Sequence, residues 1–159
     1  MKLTSYTDYA LRTLMYLADS GDRLVTIRDI ADAQGIAKNH LTKVVHHLGM
    51  LGIVETTRGR NGGLRLGRKA EDINIGDVVR HTEQDFAVAE CFEKDNLSCR
   101  YSSSCKLKGA LARATAAFLG VLDDVNLATL TACDRRTDKC ASPAATLLHF
   151  KSTKARRSA

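Results

Sequence analysis

The chain has one proline and no tryptophan among its 159 residues, and aromatic residues make up only 5% of it. Those absences fit a helix-rich protein, with all-α plus a small β element as the expected class. No uninterrupted apolar run approaches the roughly 20 residues needed to cross a bilayer. Met1 to Ser20 is broken by Lys2, Asp8, Arg12 and Asp19, so no secretion leader is expected and the expected compartment is the cytoplasm, with no membrane partner. There is no phosphate-binding glycine loop, no His-Glu pair at metalloprotease spacing and no nucleophile motif, so an enzyme is not expected. Asp123 and Asp124 are adjacent, diverge around a helix and read as a solvated face. No internal repeat is visible, and the length suits one modest domain, or a small domain with a dimerisation arm.

What is present is charge, unevenly spread. Residues 1 to 70 hold 11 Lys and Arg against 6 Asp and Glu, residues 71 to 134 hold 6 against 11, and residues 135 to 159 hold 7 against 1. A basic first half beside an acidic middle is the footprint of a polyanion partner. The basic tail, with Lys151, Lys154, Arg156 and Arg157, reads as solvated.

Apolar spacing predicts a first helix from Ser5 to Ser20, stopped by Gly21, with Ser5 and Asp8 at capping-box spacing. Thr26 and Asp29 repeat that spacing before a short second helix ending near Gly35. After the turn at Gly35 and Ile36, a third helix carries Leu41, Val44, Val45, Leu48 and Leu51 inward. Two short helices around a glycine turn form a helix-turn-helix. The period then changes to two: Ile53 to Thr57 and Leu64 to Leu66 are strands, joined by Arg58-Gly59-Arg60-Asn61-Gly62-Gly63. The expected fold is therefore mainly α, a winged helix-turn-helix with a β-hairpin wing. A fourth helix is expected from Asn74 to about Thr82 and a last one over residues 126 to 133. Between them Leu107, Leu111, Ala114, Phe118, Val121 and Val125 recur in steps of four and three, the seam of a long dimerisation helix. The alternative is a helix packed against its own domain.

On the third helix, Lys38, Asn39, His40, Thr42 and Lys43 lie off the apolar stripe near the start, where side chains reach major-groove base edges. His46 and His47 lie further along and read as solvated or phosphate-facing. In the wing, Arg58 and Arg60 offer charge to phosphates or to a narrow minor groove, and Asn61 favours the tight turn. Double-stranded DNA is the expected partner.

Five cysteines, an odd number, do not suit a disulfide framework in a reducing compartment. Cys91, Cys99 and Cys105 share one polar loop with Glu93, Lys94, Asp95, Asn96, Ser98, Arg100 and Ser102 to Ser104, where no apolar face exists for them to fill. Three soft thiolates so placed suit zinc or an iron-sulfur cluster. Cys133 and Cys140 fall outside the loop and read as ordinary free thiols, the alternatives being a redox pair or spare ligands.

The opening Leu3-Thr4-Ser5-Tyr6-Thr7-Asp8-Tyr9-Ala10-Leu11-Arg12, the segment Gly35-Ile36-Ala37-Lys38-Asn39-His40-Leu41, the wing and the three-cysteine loop resemble the Rrf2 superfamily of winged-helix regulators. Within it the resemblance is closest to the nitric-oxide-sensing repressors. It covers about residues 1 to 130. It implies a homodimer with crossing long helices, a palindromic operator read by two half-sites, and an iron-sulfur cluster that controls affinity, with nitric oxide as the signal. The cluster ligands carry over onto Cys91, Cys99 and Cys105, and 4Fe-4S is favoured over 2Fe-2S. The branch that regulates cluster assembly places a histidine three residues beyond its last cysteine, where this chain has Lys108. That leaves a ligand to be found. Asp8 is favoured over Glu90, Glu93, Asp95 and His81, because a carboxylate from the partner subunit would tie the cluster to the DNA-binding domain; the alternative is that Asp8 only caps its helix.

The expected organisation is a DNA-binding domain over residues 1–83, a cysteine loop over 84–106, a dimerisation helix with a short follower over 107–133, and a basic tail over 134–159. The rival functions are a cluster-dependent regulator of iron-sulfur or redox homeostasis, a zinc-stabilised DNA-binding module, and a cluster-free regulator of a small metabolite.

Overall fold

The computed structural model describes residues 2–60, 62–92 and 105–132. Helix α1 (Ser5–Ser20) has the expected length but a different cap: Thr4 Oγ1 accepts the Thr7 N–H at 3.3 Å. Asp8 lies beyond the cap, so the expected pairing of Ser5 with Asp8 does not form. Such a cap stabilises by about 1 kcal/mol. A second group serves the same end, because the Glu83 carboxylate accepts the Thr4 N–H at 2.7 Å. The Thr26–Asp29 box is reciprocal, as its spacing predicts, and opens α2 (Ile27–Gln34). Its two hydrogen bonds from Thr26 hold the Asp29 carboxyl below the usual carboxylate range. Gly35 ends α2 in the left-handed conformation, at φ 65°.

Helix α3 (Lys38–Met50) buries Leu41, Val44, Val45 and Leu48. Arg68 fixes its far end by donating to the Leu51 carbonyl at 2.7 Å. The strands β1 (Val54–Thr57) and β2 (Gly63–Leu66) pair antiparallel, Val54 opposite Leu66 and Thr57 opposite Gly63. The first strand starts one residue later than expected because the Ile53 N–H bonds back to the Leu48 carbonyl of α3 at 3.0 Å. Val25 adds an edge that alternation did not reveal. It exchanges both backbone hydrogen bonds with Leu64, at 3.1 and 2.7 Å. Gly63 permits this approach, since a Cβ there would lie 2.9 Å from the Val25 carbonyl oxygen.

A 3-10 turn (Ala70–Asp72) leads to α4 (Ile75–Thr82), capped by Asn74, with Ile75, Val78 and Val79 inward. After a second 3-10 turn (Glu90–Phe92) come α5 (Lys106–Asp123) and α6 (Leu127–Thr131), the latter shorter than the expected 126–133. There is one core. Leu127, from beyond the long helix, is fully buried in the same cluster as Leu14, Leu17, Leu41 and Leu48. The chain returns to it through two backbone bonds, Ile75 N–H to Val125 and Leu127 N–H to Ile73, both 2.9 Å. Arg80 forks onto Asp123 at 2.5 and 2.7 Å and holds its carboxyl low, while Asn74 donates to the Asp123 carbonyl at 2.6 Å. A Cβ at Gly76 would overlap that carboxylate. The C-terminal end of α5 is therefore clamped to α4. Elsewhere α5 is bare: none of its residues is buried, Leu119 and Leu122 rest against the core, and Leu107 and Val121 are 65% and 66% exposed. No helix among the described residues is long and apolar enough to cross a membrane.

Candidate nucleic-acid interface and metal centre

The third helix keeps its first turn open. Its N-cap, Ala37, offers no side-chain acceptor, and Lys38, Asn39, His40, Thr42 and Lys43 are all exposed. Free amides at a helix start attract phosphate, so the expected base-reading residues surround a backbone donor site. Thr42 Oγ1 donates to the Lys38 carbonyl at 2.9 Å, which leaves its oxygen lone pairs outward. At 100° per residue, Asn39, Lys43, His46 and Met50 share the outermost face, and Met50 is 74% exposed.

The wing turn is shaped by glycine. Gly59 has φ 116°, and a Cβ on Gly62 would overlap the Thr57 carbonyl oxygen. Arg58 and Arg60 are exposed and make no ion pair among the described residues, whereas Arg65, Arg80 and Arg12 meet Glu55, Asp123 and Asp8. Asn61 lies outside the described residues. Among the described residues, therefore, nothing acidic engages the two wing cations.

A third contributor went unread in the sequence: the start of α1 lies against the flank of α3. Tyr6 and Tyr9 set their rings 6.0 Å, centroid to centroid, from His47 and His40. Arg12 reaches the last residue of α2, donating to the Gln34 carbonyl at 2.7 Å and to Gln34 Oε1 at 2.8 and 3.0 Å. Its remaining nitrogen is 3.6 Å from Asp8 Oδ2. Asp8, Arg12 and Gln34 therefore form a chain from α1 to the turn that precedes the reading residues. The i, i+4 spacing of Asp8 and Arg12 was the available signal for its first link; nothing local announces Gln34.

Of the expected metal ligands, Cys105 and Asp8 have described side chains. Cys91 is described in its backbone, within the turn Glu90–Phe92, while Cys99, Glu93 and Asp95 lie outside the described residues, as do Cys133, Cys140 and the basic tail. Cys105 is the N-cap of α5, and its sulfur accepts the Lys108 N–H at 3.4 Å. A sulfur facing the positive end of a helix is well placed to carry ligand charge. Lys108, at the position where the related branch has histidine, sets its ammonium 5.6 Å from the centre of the Phe92 ring. That cation-π contact holds its ammonium over Phe92, while its amide serves Cys105, without requiring it to ligate. His81 is exposed and Glu90 is exposed, and no group of three metal-binding side chains forms among the described residues. A soft sulfur at a helix N-terminus with a cation nearby fits an anionic iron-sulfur cluster better than a site of hard oxygen ligands.

The chain is similar to known proteins in family and fold. Residues 3–133 match the family described as Rrf2, iron-dependent transcriptional regulator. The chain is 56% identical over 128 residues to the HTH-type transcriptional regulator NsrR of Bacillus licheniformis, covering 80% of this chain and 90% of that protein. It is 53% identical over 131 residues to NsrR of Bacillus subtilis, covering 82% and 90%. Among solved structures it resembles T. potens IscR, with a TM-score of 0.65 at 26% identity over 82% of this chain and 85% of that one. The CymR global cysteine regulator of B. subtilis shares the fold, with a TM-score of 0.65 at 24% identity over 82% and 96%.

Proposed function

We propose, because the chain belongs to the Rrf2 family of transcriptional regulators, that it is a dimeric DNA-binding repressor whose operator affinity is set by an iron-sulfur cluster that answers nitric oxide. The observation that carries this reading is the placement of Cys105: a thiol caps the exposed helix that follows the cysteine loop, in a chain half identical to regulators named NsrR. Cys91, Cys99 and Cys105 hold the cluster, 4Fe-4S rather than 2Fe-2S, and Asp8 of the partner subunit completes it. When bound, the cluster would supply an iron able to react with nitric oxide, and Asp8, as a carboxylate harder than thiolate, would hold it weakly. Asp8 is the residue through which the protein responds. Its carboxylate either engages the cluster or returns to Arg12, and Arg12 passes the difference to Gln34 and the turn before Lys38. Operator affinity changes only to the extent that the two arrangements differ in DNA affinity, about 1.4 kcal/mol for each tenfold.

Protein purified without oxygen is expected to be brown, with broad visible absorption that nitric oxide bleaches while operator binding falls. Colourless protein holding zinc, or operator binding that ignores both cluster loss and nitric oxide, removes this reading and favours the zinc-stabilised module.

Direct recognition is assigned to Lys38, Asn39, His40, Thr42 and Lys43, with Arg58, Arg60 and Asn61 on the backbone or minor groove. Arg58→Ala and Arg60→Ala are each expected to lower the salt slope of operator binding by about one unit, and Asn39→Ala to cost about 1 to 3 kcal/mol at the cognate site alone. Isotherms at several salt concentrations separate the two effects. Unchanged slopes for both arginine variants would take the wing out of the interface.

A further inference from the structure

His47 lies on the flank of α3 that faces α1, one side of the outward row Asn39, Lys43 and His46. Its Nδ1 is 3.0 Å from the Tyr6 hydroxyl, which also lies 3.4 Å from the Lys43 carbonyl oxygen. That carbonyl already accepts the amide of residue 47 within the helix, and the hydroxyl approaches the imidazole more closely. Burial raises the Tyr6 pKa, so the phenol keeps its single proton; of its two neighbours, the Lys43 carbonyl at 3.4 Å and Nδ1 at 3.0 Å, the shorter distance favours donation to Nδ1. A neutral imidazole that accepts at Nδ1 carries its own proton on Nε2. The His47 ring is half buried, Nε2 has no partner among the described residues, and no buried side-chain nitrogen or oxygen there is left unpaired. Nε2 therefore opens to solvent, on a helix whose Lys43 and His46 are also exposed.

We propose that Tyr6 and His47 form a DNA backbone site, in which the Tyr6 hydroxyl fixes the imidazole so that its Nε2–H donates to an operator phosphate. Tyr6 is a positioning residue and His47 the contact. The site works with a neutral ring. It adds a hydrogen bond without neutralising a phosphate, so it releases no counterion and leaves the salt slope alone, whereas Lys43 contributes through charge. It also couples α1 to DNA at a second point besides the chain through Arg12.

The test uses the full-length protein on its operator. His47→Ala is expected to weaken binding about tenfold and Tyr6→Phe about threefold, typical of one lost and one loosened hydrogen bond. Both should leave the salt slope unchanged, while Lys43→Ala lowers it by about one unit. In the His47→Ala background, Tyr6→Phe should cost nothing more, because its effect passes through the ring. Nitrogen-15 shifts of the histidine side chains should report the Nε2–H form in the wild type and a mixture in Tyr6→Phe, a change that general loosening of α1 would not produce. Equal losses for Tyr6→Phe in the two backgrounds, a proton on Nδ1, or a His47→Ala slope lower by about one unit would each overturn the proposal.

Discussion

Phe118→Glu is expected to yield monomers that bind the operator at least about a hundredfold more weakly. The reason lies in what α5 does not bury. Leu119, Leu122 and Val125 turn toward the chain's own core, and the Arg80–Asp123 fork fixes that end of the helix to α4. Leu107 and Val121 remain 65% and 66% exposed, with Leu111 and Phe118 half exposed between them. These residues share a stripe with Ala114, and a second copy of α5 is the occupant that the four-three spacing fits. A carboxylate at position 118 would be desolvated between two helices without a partner, which costs several kcal/mol. In the proposed dimer both half-sites would be held at once, so that cost would appear again in operator binding at about 1.4 kcal/mol per decade. Sedimentation of Phe118→Glu, with its helix content unchanged, is the measurement. A dimer that persists would place the whole stripe within one subunit.

The helices were legible where periodicity and caps agreed. Thr26 and Asp29 announced α2, and Leu41, Val44, Val45 and Leu48 announced the buried side of α3, because both signals are local and repeat at the helical period. At α1 the same cap grammar pointed to Ser5 and Asp8, while the structure uses Thr4 with help from Glu83, 79 residues away. A helix end can recruit any acceptor that folding brings near, and sequence spacing cannot register it. The Val25–Leu64 bridge and the return of Leu127 to the core are likewise products of chain reversal. The interface shows the same division. Exposed Lys38, Asn39 and Lys43 follow from phase on one helix, but the chain Asp8–Arg12–Gln34 and the Tyr6–His47 pair join separate helices. In the seam, Val125 fits the four-three spacing and yet packs toward its own core, because the last turn of α5 is held against α4.

Cys105→Ser is expected to abolish the cluster while leaving the fold intact, and with the cluster should go the nitric oxide response. Serine is among the best N-cap residues, so a hydroxyl at 105 keeps an acceptor for the Lys108 amide and the start of α5 stays capped. What it loses is the soft sulfur that iron requires. Iron and sulfide content should fall to background, the thermal midpoint of the cluster-free protein should stay near that of cluster-free wild type, and operator affinity should match wild type after cluster loss. Asp8→Ala asks the next question. It keeps three thiolates and is expected to retain a cluster with an altered spectrum, a changed response to nitric oxide and a shifted operator affinity, since Arg12 also loses its carboxylate partner. Asn at position 8 retains an oxygen without the charge and should fall between. If Asp8→Ala leaves spectrum, response and affinity all unchanged, Asp8 serves only its ion pair with Arg12. If cluster-free Cys105→Ser binds the operator as tightly as loaded wild type, the cluster does not govern DNA binding, and Arg12 has nothing to transmit from it.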